Sequence, residues 1–446
     1  MNATADRAPD GVAGPTGSRA ARAPAWVWPV VLAVLGALVS WFRIEPAARA
    51  TLWAEDGTFF LGDVLTGDPT GLLLAPYQGY LHLLPRAIAG IVVAAVPVDG
   101  YAIAMTVASC LVVGAVAATV FACAREVVAW LPARVTLGAL TFLAPGAGFE
   151  VLGNTANLHW YALWLAPWLL LATPRGRSGA VLLGLVGLVA ALTEIQMLLF
   201  LPLLAWRVRD RNRWIVGAGV VIGSILQVAA FLLSPRTAGT GAVPPLLSTV
   251  QGYLYQAPMG ATFPSRQWKA LWVLELGWWG AALVAIPFLL ALGWVLWRGL
   301  TVERLAGAAL AVGSVVTWSA AYMLNTTPDF FYSIVPVELA VDIHLPRYGV
   351  VPALYLLAIV VLAASVAWRA GVLRRTAVVV LAGVLVVTIA SALVPQPSPR
   401  GEGPEWADGV GAARTACATS EDPGLATIAI APEGWVVEVP CERLAG

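Results

Sequence analysis

Charge is what this chain of 446 residues has least of: Asp, Glu, Lys and Arg together make up 11% of it. A soluble domain carries about a quarter. With a hydrophobic fraction of 59% and a mean hydropathy of +0.81, an ordinary soluble enzyme and a disordered chain are both excluded. The 26 basic and 25 acidic residues leave a net charge of +1. There is no basic field to hold a phosphate polymer, so nucleic acid is excluded as a partner. Histidine and cysteine are scarce, at 3 and 4 residues, and no CxxC or His/Cys metal spacing occurs. The regular alternation of a membrane β-barrel is missing as well. Almost all the positive charge is arginine; Lys269 is the single lysine.

What the chain does have is apolar runs long enough to cross a bilayer, each needing about 20 residues. They lie at 25–42 and near 80–97, 101–123, 135–149, 155–173, 178–206, 214–233, 270–297, 304–324, 346–368 and 376–394. We expect an all-α polytopic membrane protein with 11–13 transmembrane helices over 25–394. Residues 1–24 read as a disordered cytoplasmic N-terminus, and 395–446 as a small β-like tail outside the cytoplasm. The short loops 174–177, 207–213, 298–304 and 369–375 are rich in Arg, which places them in the cytoplasm. The segments 43–80, 234–269 and 325–345 then form outer loops, the first of them large. Among the acids, only Asp6, Asp10, Asp210 and Glu303 fall clearly on the cytoplasmic side. The run 178–206 starts and ends beside basic loops, so it reads as a hairpin of two short helices with Thr193 and Glu194 at its outer tip. The three runs between 80 and 150 are one too many for this alternation. Either 135–149 is re-entrant, or Arg125 and Arg134 lie outside.

Polar residues at membrane depth are costly, so their positions carry information. His82, His159 and His344 all fall at outer helix ends, beside Tyr80, Trp160 and Tyr348. As a set they suggest a common outer cavity, with Asn157, Glu194 and Gln196 as further hydrogen-bonding candidates. The tail holds Cys417 and Cys441 around two alternating runs that flank Pro432-Glu433-Gly434, a hairpin signal. A disulfide between these cysteines would staple a unit too small for its own core. Trp53-Ala54-Glu55-Asp56-Gly57-Thr58-Phe59-Phe60 follows the first helix and sets two adjacent carboxylates among aromatics. Partly desolvated there, they would be better proton acceptors. The simpler alternative makes Asp56 the N-cap of an interfacial helix over 57–65.

The first helix followed by an outer loop with an acidic pair resembles the GT-C superfamily, integral-membrane glycosyltransferases that take sugars from polyprenyl-phosphate carriers. Two further stretches carry the likeness: Gly79-Tyr80-Leu81-His82-Leu83-Leu84-Pro85-Arg86, and Arg347-Tyr348-Gly349-Val350-Val351-Pro352. The tail is short beside the large soluble C-terminal domain of some members. The resemblance implies transfer of a sugar from a lipid-linked donor to a cell-envelope glycan, lipid or protein, at the outer face of the inner (cytoplasmic) membrane. It places Asp56 as catalytic base. Glu55 either orients the acceptor or holds a divalent cation such as Mg or Mn; no other cofactor is implied. For the donor phosphate, Arg347 is first choice because guanidinium matches phosphate oxygens bidentately, with Arg86 and Lys269 behind it. Tyr80, His82, Asn157, His159, Glu194, Gln196, His344 and Tyr348 would meet sugar or acceptor. The competing readings are a transporter or lipid-linked oligosaccharide flippase, and a polysaccharide polymerase or ligase using Arg86, Arg236 and Arg347.

Overall fold

A computed structural model of the chain describes residues 24, 26–67, 72–236, 242–263, 265–343, 345–371, 373–394, 397–420 and 424–445. The expected disorder of 1–24 falls almost wholly outside these residues, and His344 falls outside them too. The molecule is 75% helical. Its elements are α1 (Val27–Arg43), α2 (Leu83–Ala95), α3 (Tyr101–Cys123), α4 (Leu131–Leu143), α5 (Leu158–Leu171) and α6 (Arg177–Ala191). A 3₁₀ segment Ile195–Ala205 follows, then α7 (Arg211–Leu233), α8 (Leu246–Gln256), α9 (Arg266–Arg298), α10 (Thr301–Asn325), α11 (Pro346–Ala370) and α12 (Arg374–Leu393). The tail adds α13 (Trp406–Thr419) and an antiparallel pair, β1 (Leu425–Ile430) with β2 (Trp435–Pro440), registered Leu425 to Pro440 and Ile430 to Trp435.

Among the described residues, six helical stretches are long and apolar enough to cross a membrane: Val98–Glu126, which contains α3, and α7, α9, α10, α11 and α12. Shorter apolar helices pack among them. This is an all-α, multi-pass membrane protein. Helix α11 is its axis, with 89% of its most apolar window buried. Small residues let other helices approach closely. A Cβ on Gly114 of α3 would stand 2.2 Å from the Ala33 carbonyl of α1, so the two backbones touch there.

The bundle has a basic end. Arg213 is buried and donates to the carbonyls of Leu170 (2.7 Å), Leu171 (3.1 Å) and Leu203 (3.3 Å), which end α5 and the 3₁₀ segment. Cations complement the negative pole of a helix C-terminus. Arg207 pairs with Glu126 at 3.4 Å, so Glu126 joins the few acids at this end. Trp130 stacks on Trp368 at 4.6 Å, which brings the start of α4 to the end of α11.

The surplus run between 80 and 150 is resolved differently from expectation. Arg125 lies beside Glu126 at the basic end, and α4 runs away from it to the far end, where Arg43 binds the carbonyls of Phe142 and Ala144 (2.5 and 3.0 Å). Helix α2 is the one that does not cross. It opens with Leu83 bonded to the Leu192 carbonyl (3.1 Å). It returns to the same end at Val98 and Asp99, which bind Trp406 (2.6 Å) and Arg414 (2.6 Å) of the tail. Its 13 residues were apolar enough to pass for a span, but they pack on the first loop and the flank of α3.

The hairpin over 178–206 forms, with Thr193 bonded to Leu84 (3.2 Å) at the tip and Leu203 back at the basic end. Polar residues of 234–269, read from sequence as an outer loop, are built into the core. Tyr255 bonds the Val341 carbonyl (2.8 Å), Tyr253 meets Ser314 (2.9 Å), and Gln256 donates to Tyr332 (2.8 Å). A sidedness test follows from the two ends. Single cysteines at exposed Asp408 and exposed Arg211 should react with an impermeant thiol reagent from opposite sides of sealed vesicles; same-side labelling would overturn the arrangement.

Candidate active site

The site is assembled where the first loop, the tail and the start of α5 meet. Trp53 bridges to Ala431, and Ala54 donates to the Ala431 carbonyl at 2.6 Å while Ala431 donates to that of Leu52 at 3.2 Å. These bonds hold Ala54 at φ +28°, left-handed backbone that costs a non-glycine residue of order 1–3 kcal/mol. Immediately after this residue come Glu55 and a wide π-turn, Asp56–Leu61. Such turns re-aim side chains and collect at functional sites. Gly57 lies so close to the tail that a Cβ there would meet Ile430 at 2.4 Å and Val437 at 2.9 Å. Thr58 donates to the Val436 carbonyl at 2.6 Å.

Asp56, expected as a partly desolvated base, is more deeply enclosed than that, and it is not the N-cap of a helix over 57–65. Its carboxylate is 2% exposed and takes three donors from one stretch of chain. These are the Thr155 amide (2.7 Å), the Thr155 hydroxyl (2.7 Å) and the Ala156 amide (2.6 Å). Burial pushes its pKa up to about 6, against the pull of these donors and of Arg400. Both oxygens are engaged and Asp56 does not line the cavity, whereas Glu55 does. The aspartate clamps two segments together and the glutamate faces the open space.

That space is a cavity of about 910 Å³. Of the residues anticipated from sequence, Glu55, Tyr80, His82, Asn157, His159, Glu194, Gln196, Arg347 and Tyr348 all line it. His159 Nδ1 hydrogen-bonds Glu194 Oε2, and Glu194 Oε1 accepts from the Gln196 amide at 2.6 Å. The carboxylate thus orients the ring. His82 is 4% exposed and sits among Phe60, Tyr77 and Tyr80, whose ring centroids are 5.3, 5.6 and 4.0 Å away. Burial first, then His159 and Arg86, push its pKa well below the usual imidazole value, so the ring is neutral. Arg347 binds Glu150 at 2.7 Å and the Tyr348 hydroxyl at 2.9 Å, and still borders the cavity. Burial raises the Glu150 carboxyl while Arg347 counters it.

Two of the cations proposed for phosphate are elsewhere. Arg86 is 3% exposed, pairs with Asp63 at 3.0 Å and lies over the Phe60 ring. Lys269 is buried with its ammonium 4.6 Å from the Tyr255 ring. Neither lines the cavity, because Asp63 and Tyr255 hold them in the surrounding structure. The cation contributed in their place is Arg236, which donates to Asn325 at 2.8 Å. Sequence reasoning names Arg236 only under the polymerase or ligase reading, and it does not single out Glu150, Tyr77 or Trp435 at all. Trp435 comes from the tail and meets Phe59 edge-on at 6.0 Å; nothing local to β2 marks it as a cavity residue. The disulfide Cys417–Cys441 is present, and the other two cysteines, Cys110 and Cys123, are free and buried. Among the described residues no group of three or more His, Cys, Asp or Glu could hold a metal ion, so no step is assigned to one.

The cavity has two chemistries. Its lining includes the polar Glu55, Asn157, His159, Glu194, Arg236 and Arg347 and the apolar Phe231, Pro235, Val243, Ala320, Met323 and Leu324. Several of the apolar residues are exposed: Phe231 is 50%, Val243 74% and Leu324 60%. The arrangement suits an amphiphile whose head meets acid, base and cation while its tail leaves between the ends of α7 and α10. No family model, no curated protein and no solved structure matches the chain.

Asp56→Asn should cost about 1–3 kcal/mol, since one buried donor loses its acceptor, read as a fall in unfolding temperature in detergent. Glu55→Gln should leave that temperature unchanged. The folded Asp56 carboxyl, at about 6, lies above its ordinary 3.8. Its contribution is therefore complete below the lower value and lost as pH rises through the higher one. The stability difference between wild type and Asp56→Asn should shrink over that window; a flat difference would mean that Asp56 does not titrate there.

Proposed function

We propose that the chain is a membrane glycosyltransferase of the GT-C kind, which moves a sugar from a polyprenyl-phosphate carrier to a cell-envelope glycan, lipid or protein. One observation carries the reading: a single cavity is lined by a carboxylate, a carboxylate-oriented histidine and an arginine together with exposed apolar side chains. A lipid-linked sugar combines the same two characters, with the isoprenoid against Phe231 and Leu324 and the sugar phosphate at the polar residues. The site lies at the end of the bundle away from the arginine-rich loops, which the charge bias puts outside the cytoplasmic membrane. A transporter would keep its polar groups near the middle of the span instead.

In this mechanism Glu55 takes the proton of the acceptor hydroxyl as that oxygen attacks the anomeric carbon. The bond from that carbon to the phosphate oxygen breaks, and the pair goes to the departing lipid phosphate. Arg347 stabilises the charge that develops there. No strong acid is required, because a lipid phosphate already leaves well. Asp56 serves the reaction indirectly by fixing the backbone from which Glu55 projects. His159, held by Glu194, and Asn157 hydrogen-bond sugar or acceptor hydroxyls.

The test is transfer from labelled polyprenyl-phosphate arabinose, mannose, glucose and galactose to envelope acceptors, using the full-length chain in vesicles. Glu55→Gln should abolish transfer at unchanged unfolding temperature. Arg347→Gln should weaken donor binding by roughly 1.5–3 kcal/mol, the range for a charge-assisted bond. Full turnover in Glu55→Gln would remove it as the base. An absence of transfer from every donor would remove the reading itself.

A further inference from the structure

A second cavity, of about 350 Å³, lies at the basic end and is lined by Trp294, Arg298, Arg369, Ala370 and Leu373. It forms where α9 and α11 end and α12 begins. The polar side chains on its lining carry only donors. Arg298 stacks on Trp297 (4.7 Å) and Trp294 (5.7 Å), which fix its guanidinium without neutralising it. Arg369 spends one nitrogen on Glu303 at 2.7 Å and borders the cavity with the rest. The indole nitrogen of Trp294 is buried and has no hydrogen-bond partner. A buried donor left unmatched is costly. Arg374, lying over Trp368 at 5.5 Å, extends the positive field. Beside this field the surface is apolar and open to lipid, with Leu290 69%, Trp297 66% and Val379 69% exposed.

We infer that this cavity binds the phosphate head of an anionic membrane phospholipid from the leaflet at the basic end, with its acyl chains along α9 and α12. The chemistry recognised is a phosphate oxyanion; the adjoining apolar surface argues for a lipid over free phosphate. Basic pockets between transmembrane helices suit such head groups. The site is separate from the large cavity, and its test does not involve transfer.

The full-length chain, purified in an uncharged maltoside detergent, would be titrated with phosphatidylglycerol, phosphatidylcholine and sodium phosphate. Binding would be followed by native mass spectrometry and by unfolding temperature. Phosphatidylglycerol should bind about tenfold more tightly than phosphatidylcholine and raise the unfolding temperature, while sodium phosphate does neither. Trp294→Phe keeps the ring and removes the donor; Arg298→Gln removes the charge. Each should weaken phosphatidylglycerol binding about fivefold with the lipid-free unfolding temperature unchanged. If Trp294→Phe does not fold, Arg298→Gln carries the test. Equal binding of the two lipids, wild-type affinity in the variants, or an equal response to sodium phosphate alone would each overturn the assignment.

Discussion

The carboxylate of Asp56 and the three donors of Thr155 and Ala156 hold together two parts of the chain that are a hundred positions apart. One part delivers Glu55. The other opens α5 and delivers Asn157 and His159. An ion buried to this degree survives only because donors replace its water. Two of those donors are backbone amides at fixed positions, so the bonds set geometry as well as offsetting burial. The same placement that makes Asp56 a good clamp takes it out of contact with anything in the cavity.

The tail completes the site. Its backbone pairs with Leu52 and Ala54, and the guanidinium of Arg400 is 5% exposed and binds the Thr51 and Gly153 carbonyls and the Thr106 hydroxyl. Arg400 therefore ties the tail both to the first loop and to the turn that precedes Thr155. Burial lowers its pKa to about 10, and Asp56 draws it back up, so these two buried charges support one another. A unit of two short strands and a helix has little core of its own. It gains one by lying on the first loop, and the loop in turn receives the backbone partners that its strained residue needs.

The two ends of the bundle are built on opposite electrostatic plans. At the basic end, arginines meet helix C-termini, tryptophan faces and a few acids, and the excess charge is positive. At the site end several charged groups are matched by a neighbour: Arg347 by Glu150, Arg86 by Asp63 and Arg414 by Asp99, and Glu194 holds His159 by a hydrogen bond. Matching fixes side chains in a partly dry place, which is what preorganised chemistry requires.

By itself the sequence determined that the chain lives in a membrane, which end is basic, and that polar residues gather at the other. These are properties of composition and of position along the chain, and each residue reports them independently. The histidines at 82 and 159, Glu194 and Arg347 were legible because polar groups at helix ends in an apolar chain are few. Tertiary structure alone decided which of two adjacent carboxylates faces the cavity, since that depends on Ala54 and on partners at 155 and 431. It alone decided that α2 turns back, because an apolar run has the same composition whether it meets lipid or protein. It also withdrew Arg86 and Lys269 from the cavity and brought Tyr77 and Trp435 to it, because a long side chain goes where its nearest partner lies, and that partner is distant in sequence.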